Sequence, residues 1–214
     1  MPPKQRFLTA ADNTRPHDCH RYDVFAPKLN RPLTLFGRAA LDAWTILESD
    51  PEVQSYCERP LAIPDTKPKR IVDFWVEKKV SAEFLFLLNP TEIAKNFGDS
   101  SSIPAFNTWS KNNKITIKFV NPVDYSQQKF LLINWGWIIR DLSAFGKFIP
   151  NNLCEDMLKL IKTEMSFESL ERHFFDIDPV LVRISAYRLL HGGQAICSTI
   201  DIGYIGPSSM IKTI

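Results

Sequence analysis

Long apolar runs are missing from this 214-residue chain. None approaches the roughly 18 residues that a membrane-spanning helix requires, and the longest candidate, Phe130–Ile139, is interrupted by Asn134 and Gly136. The N-terminal stretch MPPKQRFLTAADNTRPHD has no apolar region of the kind a secretory leader carries. No C-x-x-C pair occurs: the four cysteines Cys19, Cys57, Cys154 and Cys197 lie far apart, which excludes a disulfide scaffold. A cytoplasmic chain with reduced thiols and no membrane association is the expectation. A strong charge bias is also missing, since 26 Lys and Arg face 24 Asp and Glu for a net charge of +2. A bulk electrostatic grip on nucleic acid is therefore not encoded, and any contact with DNA requires a local patch. No internal repeat is visible, and the polar loop around Ser100–Ser102 lacks the Gly-Lys-Thr/Ser of a phosphate cradle.

What is present is an ordinary globular composition, 44% hydrophobic and 23% charged. Residues 1–34 read as an arm without periodicity, carrying six basic and three acidic residues. Thr34 is placed to cap a helix whose apolar positions Phe36, Ala40, Ala43, Trp44 and Leu47 recur at three-to-four spacing, and Asp50-Pro51 stops it. Ile71–Val76 and Glu83–Leu88 are short apolar runs that suit paired strands buried on both faces. Asn89-Pro90 opens a short helix, Pro104 begins another, and Lys114–Asn121 alternates as a strand does. Ser126–Phe145 reads as a buried helix, with a strand over Phe130–Ile133 as the alternative. Phe148–Asn152 breaks the pattern, so an α/β domain over 35–149 and a small helical domain over 150–214 are expected. In the latter, Leu153–Ile161, the segment from Ser166, and Asp178-Pro179 to Gly192-Gly193 mark three short helices, and Ile200–Ile205 a strand or wing. That order suits a winged-helix-like module.

Asp73 is the most informative single residue. A carboxylate set among Ile71, Val72, Phe74 and Trp75 is costly to bury alone, so it needs a metal, a basic partner or an exposed strand end. Lys67, Lys69, Arg70, Lys78 and Lys79 form a candidate basic patch beside it, for which a solvated turn is the competing reading. Trp75, Trp109, Trp135 and Trp137 offer stacking faces, although core packing accounts for most such residues. His17-x-Cys19-His20, with Cys57, has the letters of a metal set without its spacing.

The run Trp44-x-x-Leu47-Glu48-x-Asp50-Pro51-x-Val53, then Cys57-Glu58-Arg59-Pro60, then Val72–Val76, resembles the TnsA-type endonucleases of heteromeric transposases. Ile115–Asn121 and Leu189–Gly193 extend the likeness to roughly residues 35–205. The resemblance implies a restriction-endonuclease-like core, two Mg²⁺ or Mn²⁺ ions, and hydrolysis of DNA at transposon 5′ ends. It also implies partnership with a transposase and an AAA+ ATPase. The family's chemistry uses a Glu from the first helix, an Asp from a strand and a Glu/Gln-x-Lys on the next strand. Asp73 matches the strand Asp, but Leu87, Leu88 and Asn89 stand in the Glu-x-Lys region and Ala40 stands where the helix Glu belongs. Asp42 is the nearest acid on that helix, and Glu77-x-Lys79 has the right letters in a turn. The expected function is a TnsA-like subunit with a degenerate nuclease site and a DNA-contacting or assembly role. One alternative is an active nuclease using Asp73 with Asp42, Glu48 or Glu77; another is a module that binds only protein.

Overall fold

A computed structural model describes residues 7–64, 66, 69–94 and 104–214. The backbone divides into two compact units, residues 1–47 with 52–127, and residues 48–51 with 128–214. The first unit carries 17 basic and 13 acidic residues, net +4, and the second 9 and 11, net −2.

The first unit carries a hairpin where the sequence suggested an arm without periodicity. Strands β1 (Arg21–Ala26) and β2 (Arg31–Phe36) pair antiparallel, with Tyr22 opposite Leu35 and Ala26 opposite Arg31. Asn30 (φ +50°) closes the turn, a position Asn tolerates better than most residues. Pro32 is compatible with β2 because this two-stranded ribbon leaves one edge of each strand unpaired. Thr34 therefore lies within β2 and does not cap a helix. Gly37 (φ +84°) makes the bend instead, and α1 (Arg38–Ser49) follows. It buries Ala43, Trp44 and Leu47, with Trp44 Nε1 donating to Tyr56 Oη at 2.7 Å.

A four-stranded sheet forms the body of this unit, in the order β3 (Val53–Glu58), β4 (Phe74–Lys78), β5 (Ala82–Leu87) and β6 (Thr116–Val120). The first three strands are antiparallel neighbours, and β6 runs parallel to β5. Short α2 (Pro90–Ala94) and then α3 (Pro104–Asn112) lie on the connection that a parallel pair demands. β4 and β5 are central, which is why their sequences are apolar on both faces: Phe74, Trp75, Val76, Phe84, Leu85 and Phe86 are each at most 1% exposed. One face of the sheet holds a cluster of Trp75, Phe84 and Phe86 with Phe106 of α3. A single turn of helix, α4 (Pro122–Ser126), capped by Asn121, ends the unit.

The second unit begins with α5 (Lys129–Phe145), so Phe130–Ile133 is helical. The expected boundary at 149/150 falls inside this unit because α5 packs on α8. Then come α6 (Leu153–Leu160), β7 (Met165–Ser166), α7 (Phe167–His173), α8 (Pro179–His191), β8 (Ala195–Ile196) and β9 (Met210–Thr213). The three short strands assemble in the order β7-β9-β8. Ser166 and Asp178 cap α7 and α8 by accepting from Ser169 N and Val180 N. Residues 200–205 form turns, not a strand. They are held by the fully buried Asn134 of α5, whose Nδ2 donates to Ile200 O and Gly203 O, both at 2.7 Å, while Oδ1 accepts from Ile205 N at 2.9 Å. No helix among the described residues is long and apolar enough to cross a membrane.

Candidate acidic site around Asp73

Asp73 sits immediately before β4, at a point where the backbone is fixed on both sides. Its N–H donates to Leu85 O at 3.2 Å, and its C=O accepts from Arg59 N at 2.8 Å. The carboxylate accepts the Leu87 N–H at 2.8 Å and stands 3.4 Å from Arg70 Nη1. Of the three resolutions open to this residue, the structure adopts the basic partner.

Arg70 is the centre of the arrangement. Its guanidinium donates to Ile71 O at 3.0 Å and Leu87 O at 2.9 Å, and lies 5.2 Å from the centroid of the Phe86 ring. Nε is 2.9 Å from Oε1 of Glu92, a residue only 8% exposed. Glu92 is itself positioned by a capping box on α2. Asn89 N donates to Glu92 Oε2 and Glu92 N donates to Asn89 Oδ1, each at 2.9 Å. One planar cation thus spans two carboxylates and two carbonyls, the oxygen-rich surroundings a hard cation would otherwise seek.

Burial pushes the Asp73 carboxyl up from 3.8 to about 6; the charge of Arg70 and the Leu87 N–H oppose the rise, and the Glu92 charge adds to it. Its side chain keeps 26% exposure, so water reaches one side while protein surrounds the other.

The other candidate ligands have settings of their own. Asp42 on α1 is 4% exposed and accepts from Arg38 Nε at 2.7 Å; burial raises its pKa, and Arg38 opposes this. Glu48, fully buried, pairs with His191 Nε2 at 2.7 Å within the second unit. Glu77 lies within β4 opposite Ala82 and Ser55, so it is a strand residue rather than a turn residue. Among the described residues no group of three or more His, Cys, Asp and Glu side chains converges as a metal set, and that includes His17, Cys19, His20 and Cys57. Cys57 is buried, and that burial pushes its thiol up to about 12. Two carboxylates already bridged by a guanidinium do not fit the two-metal centre that the family resemblance implies.

The candidate basic patch is largely neutralised. Lys69 meets Asp12 at 3.0 Å, Lys78 meets Glu83 at 3.4 Å and Lys79 meets Glu52 at 2.8 Å. Hydrogen bonds from Thr14 and Lys69 hold Asp12 well below the usual carboxylate range. Lys67 and the loop Asp99–Ser102 lie outside the described residues. Trp75 is core, at 1% exposure, and Trp135 is buried at 6%, while Trp109 and Trp137 are 41% and 38% exposed. In the second unit, Arg183 of α8 pairs with Glu171, and Arg188 donates to Gly146 O, so the arginines of α8 are engaged inside the unit.

Glu92 escaped the sequence reading. The Asn89-Pro90-Thr91-Glu92 capping box was a signal for its position, but nothing local joined it to Arg70, 22 residues earlier. No family model matches the chain, and no curated protein shows significant similarity to it.

Proposed function

We propose that the chain is a TnsA-like subunit of a heteromeric DNA transposition machinery in which an internal ion pair has replaced the nuclease centre, leaving a DNA-contacting and assembly role. The observation that carries this reading is the Arg70 bridge between Asp73 and Glu92. A site that must bind divalent metal cannot also keep a resident guanidinium on its carboxylates without displacing it on each encounter. The order α1, β3–β4–β5, α3, then a parallel β6, with Asp73 at the head of the middle strand, supports a restriction-endonuclease-like reading of the first unit. Helix, strand, two helices and two strands, with the sheet order β7-β9-β8, support a winged-helix-like reading of the second. Its net charge of −2 and internally paired α8 arginines favour a protein partner there, in this proposal the transposase or the AAA+ ATPase. The active-nuclease alternative would need Asp42, Glu48 or Glu77 beside Asp73, and each has a different setting.

The test is incubation of the full chain with its transposase and transposon-end DNA in Mg²⁺ or Mn²⁺, followed by strand analysis and mobility shift. The proposal expects bound, uncleaved 5′ ends. Cleavage that Asp73→Ala abolishes would overturn the degenerate reading, and absence of any DNA complex at low salt would leave a protein-interaction role.

A further inference from the structure

Residues 7–20, ahead of β1, form no helix or strand, and most of them are exposed. The first part of this segment is nevertheless held down at both ends. Phe7 sets its ring at a steep angle against Trp75 and Phe84, with centroids 5.7 and 5.8 Å away. Further along, the Asp12 carboxylate lies 3.0 Å from Lys69 Nζ and 3.5 Å from Arg59 Nη2. The side chains of Asp12 and Arg59 keep only 18% and 16% exposure, while Lys69 keeps 61%.

Arg59 is the point on which the segment closes. Its Nε donates to Asp12 O at 2.6 Å, its Nη2 donates to Thr14 O at 3.3 Å, and its C=O accepts the Ala11 N–H at 2.9 Å. The guanidinium also lies 5.2 Å from the centroid of the Phe36 ring. The residue follows β3 with φ +45°, a left-handed conformation that a non-glycine residue adopts at a cost, and its N–H holds Asp73 O. The segment is therefore fastened to the same residue that fixes the backbone of Asp73. A guanidinium and an ammonium that come from separate stretches of chain and converge on one carboxylate have the arrangement that receives a phosphate oxygen. Hydrogen bonds from Thr14 and Lys69 keep the Asp12 carboxyl ionised, so it acts as a resident anion. DNA presents anions in series, at the local density needed to compete with a tethered carboxylate. The first unit, at net +4, attracts such a polyanion.

We propose that Arg59 and Lys69 are a binding site for a backbone phosphate of duplex DNA, and that residues 7–14 form an autoinhibitory strap whose Asp12 fills this site until DNA displaces it. The proposal rests on the DNA-contacting part of the reading above and not on transposition. The two are told apart by whether binding prefers transposon ends to an unrelated duplex.

The experiment is fluorescence anisotropy of the full chain with a labelled duplex of unrelated sequence, and again with transposon-end duplex, across a salt series. Asp12→Asn removes the resident charge while leaving an oxygen for the Thr14 N–H, which guards against a folding defect. This variant should bind the unrelated duplex more tightly than wild type and steepen the salt slope by about 0.9, one phosphate newly held. Its advantage should therefore shrink about 3.5-fold between roughly 50 and 200 mM salt. Lys69→Ala in the same background should cancel the gain. Asp18→Asn makes the same change of net charge at an exposed carboxylate on the same segment and should leave the affinity at the wild-type value. Wild-type affinity in Asp12→Asn, a gain that survives Lys69→Ala, an equal gain from Asp18→Asn, or no binding by Asp12→Asn at low salt would each overturn the proposal. A gain that is the same on both duplexes would support the strap and count against the transposition reading alone.

Discussion

Replacing Asp73 with Asn tests the electrostatics of the acidic site. In the folded chain its pKa is about 6 against 3.8 for an ordinary carboxyl, so the ionised form is disfavoured by about 3 kcal/mol relative to an unfolded reference. The sign follows from proton binding. Above pH 6 both states are ionised and the folded state bears the full penalty. Between 6 and 3.8 the folded state takes up a proton first, and the penalty shrinks; below 3.8 it vanishes. Asn resembles the neutral acid and keeps an oxygen for the Leu87 N–H. Asp73→Asn should therefore raise stability by up to about 3 kcal/mol at pH 8, and by roughly half of that at pH 5. Chemical denaturation of both proteins at the two pH values measures the difference, and carboxyl-labelled NMR titration reads the pKa directly. A variant destabilised equally at both pH values, together with an Asp73 pKa below 4, would refute the reasoning. It would mean that Arg70 outweighs burial.

Three further outcomes are expected. Arg70→Ala should cost about 3–5 kcal/mol, because it strands Asp73 and Glu92, and combining Arg70→Leu with Asp73→Asn and Glu92→Gln should recover much of the loss in denaturant titrations. Asn134→Ala leaves Ile200 O, Gly203 O and Ile205 N without their partner, and about 3 kcal/mol should be lost, with faster hydrogen exchange at the Ile205 amide. Gly193→Ala should destabilise by about 2 kcal/mol or more, since φ is +66° and a Cβ there would come within 2.5 Å of Pro51 Cβ; Gly203→Ala, with nothing within 4 Å, should be close to neutral, and thermal denaturation of the two variants reads the difference.

Much of the fold was legible where burial is two-sided or capping is local. The runs at Ile71–Val76 and Glu83–Leu88 overlap β4 and β5 because central strands must be apolar on both faces, although β4 runs on through Glu77 and Lys78, which read as a turn. Asp178-Pro179 and Gly192-Gly193 bracket α8 because each acts within a few residues. The β1–β2 hairpin was not legible: its strands are half-exposed, so Arg21, Asp23 and Phe25 alternate with Tyr22, Val24 and Ala26 without a strong apolar signal. The candidate site divides in the same way. Asp73 announced itself as a carboxylate out of place, but its partners come from tertiary structure. Arg70 reads as one more surface cation until the fold brings Glu92 to it, and Glu48 meets His191 across 143 residues of sequence.

The most direct measurement is Mn²⁺ binding to the full chain, read by the loss of free-ion electron paramagnetic resonance signal during titration at neutral pH. With Arg70 holding Asp73 and Glu92, wild type should take up no ion at micromolar concentrations, and Arg70→Ala should bind more Mn²⁺ than wild type does. One or two tightly bound ions in wild type, lost on Asp73→Ala, would contradict the account and return the chain to the working nucleases.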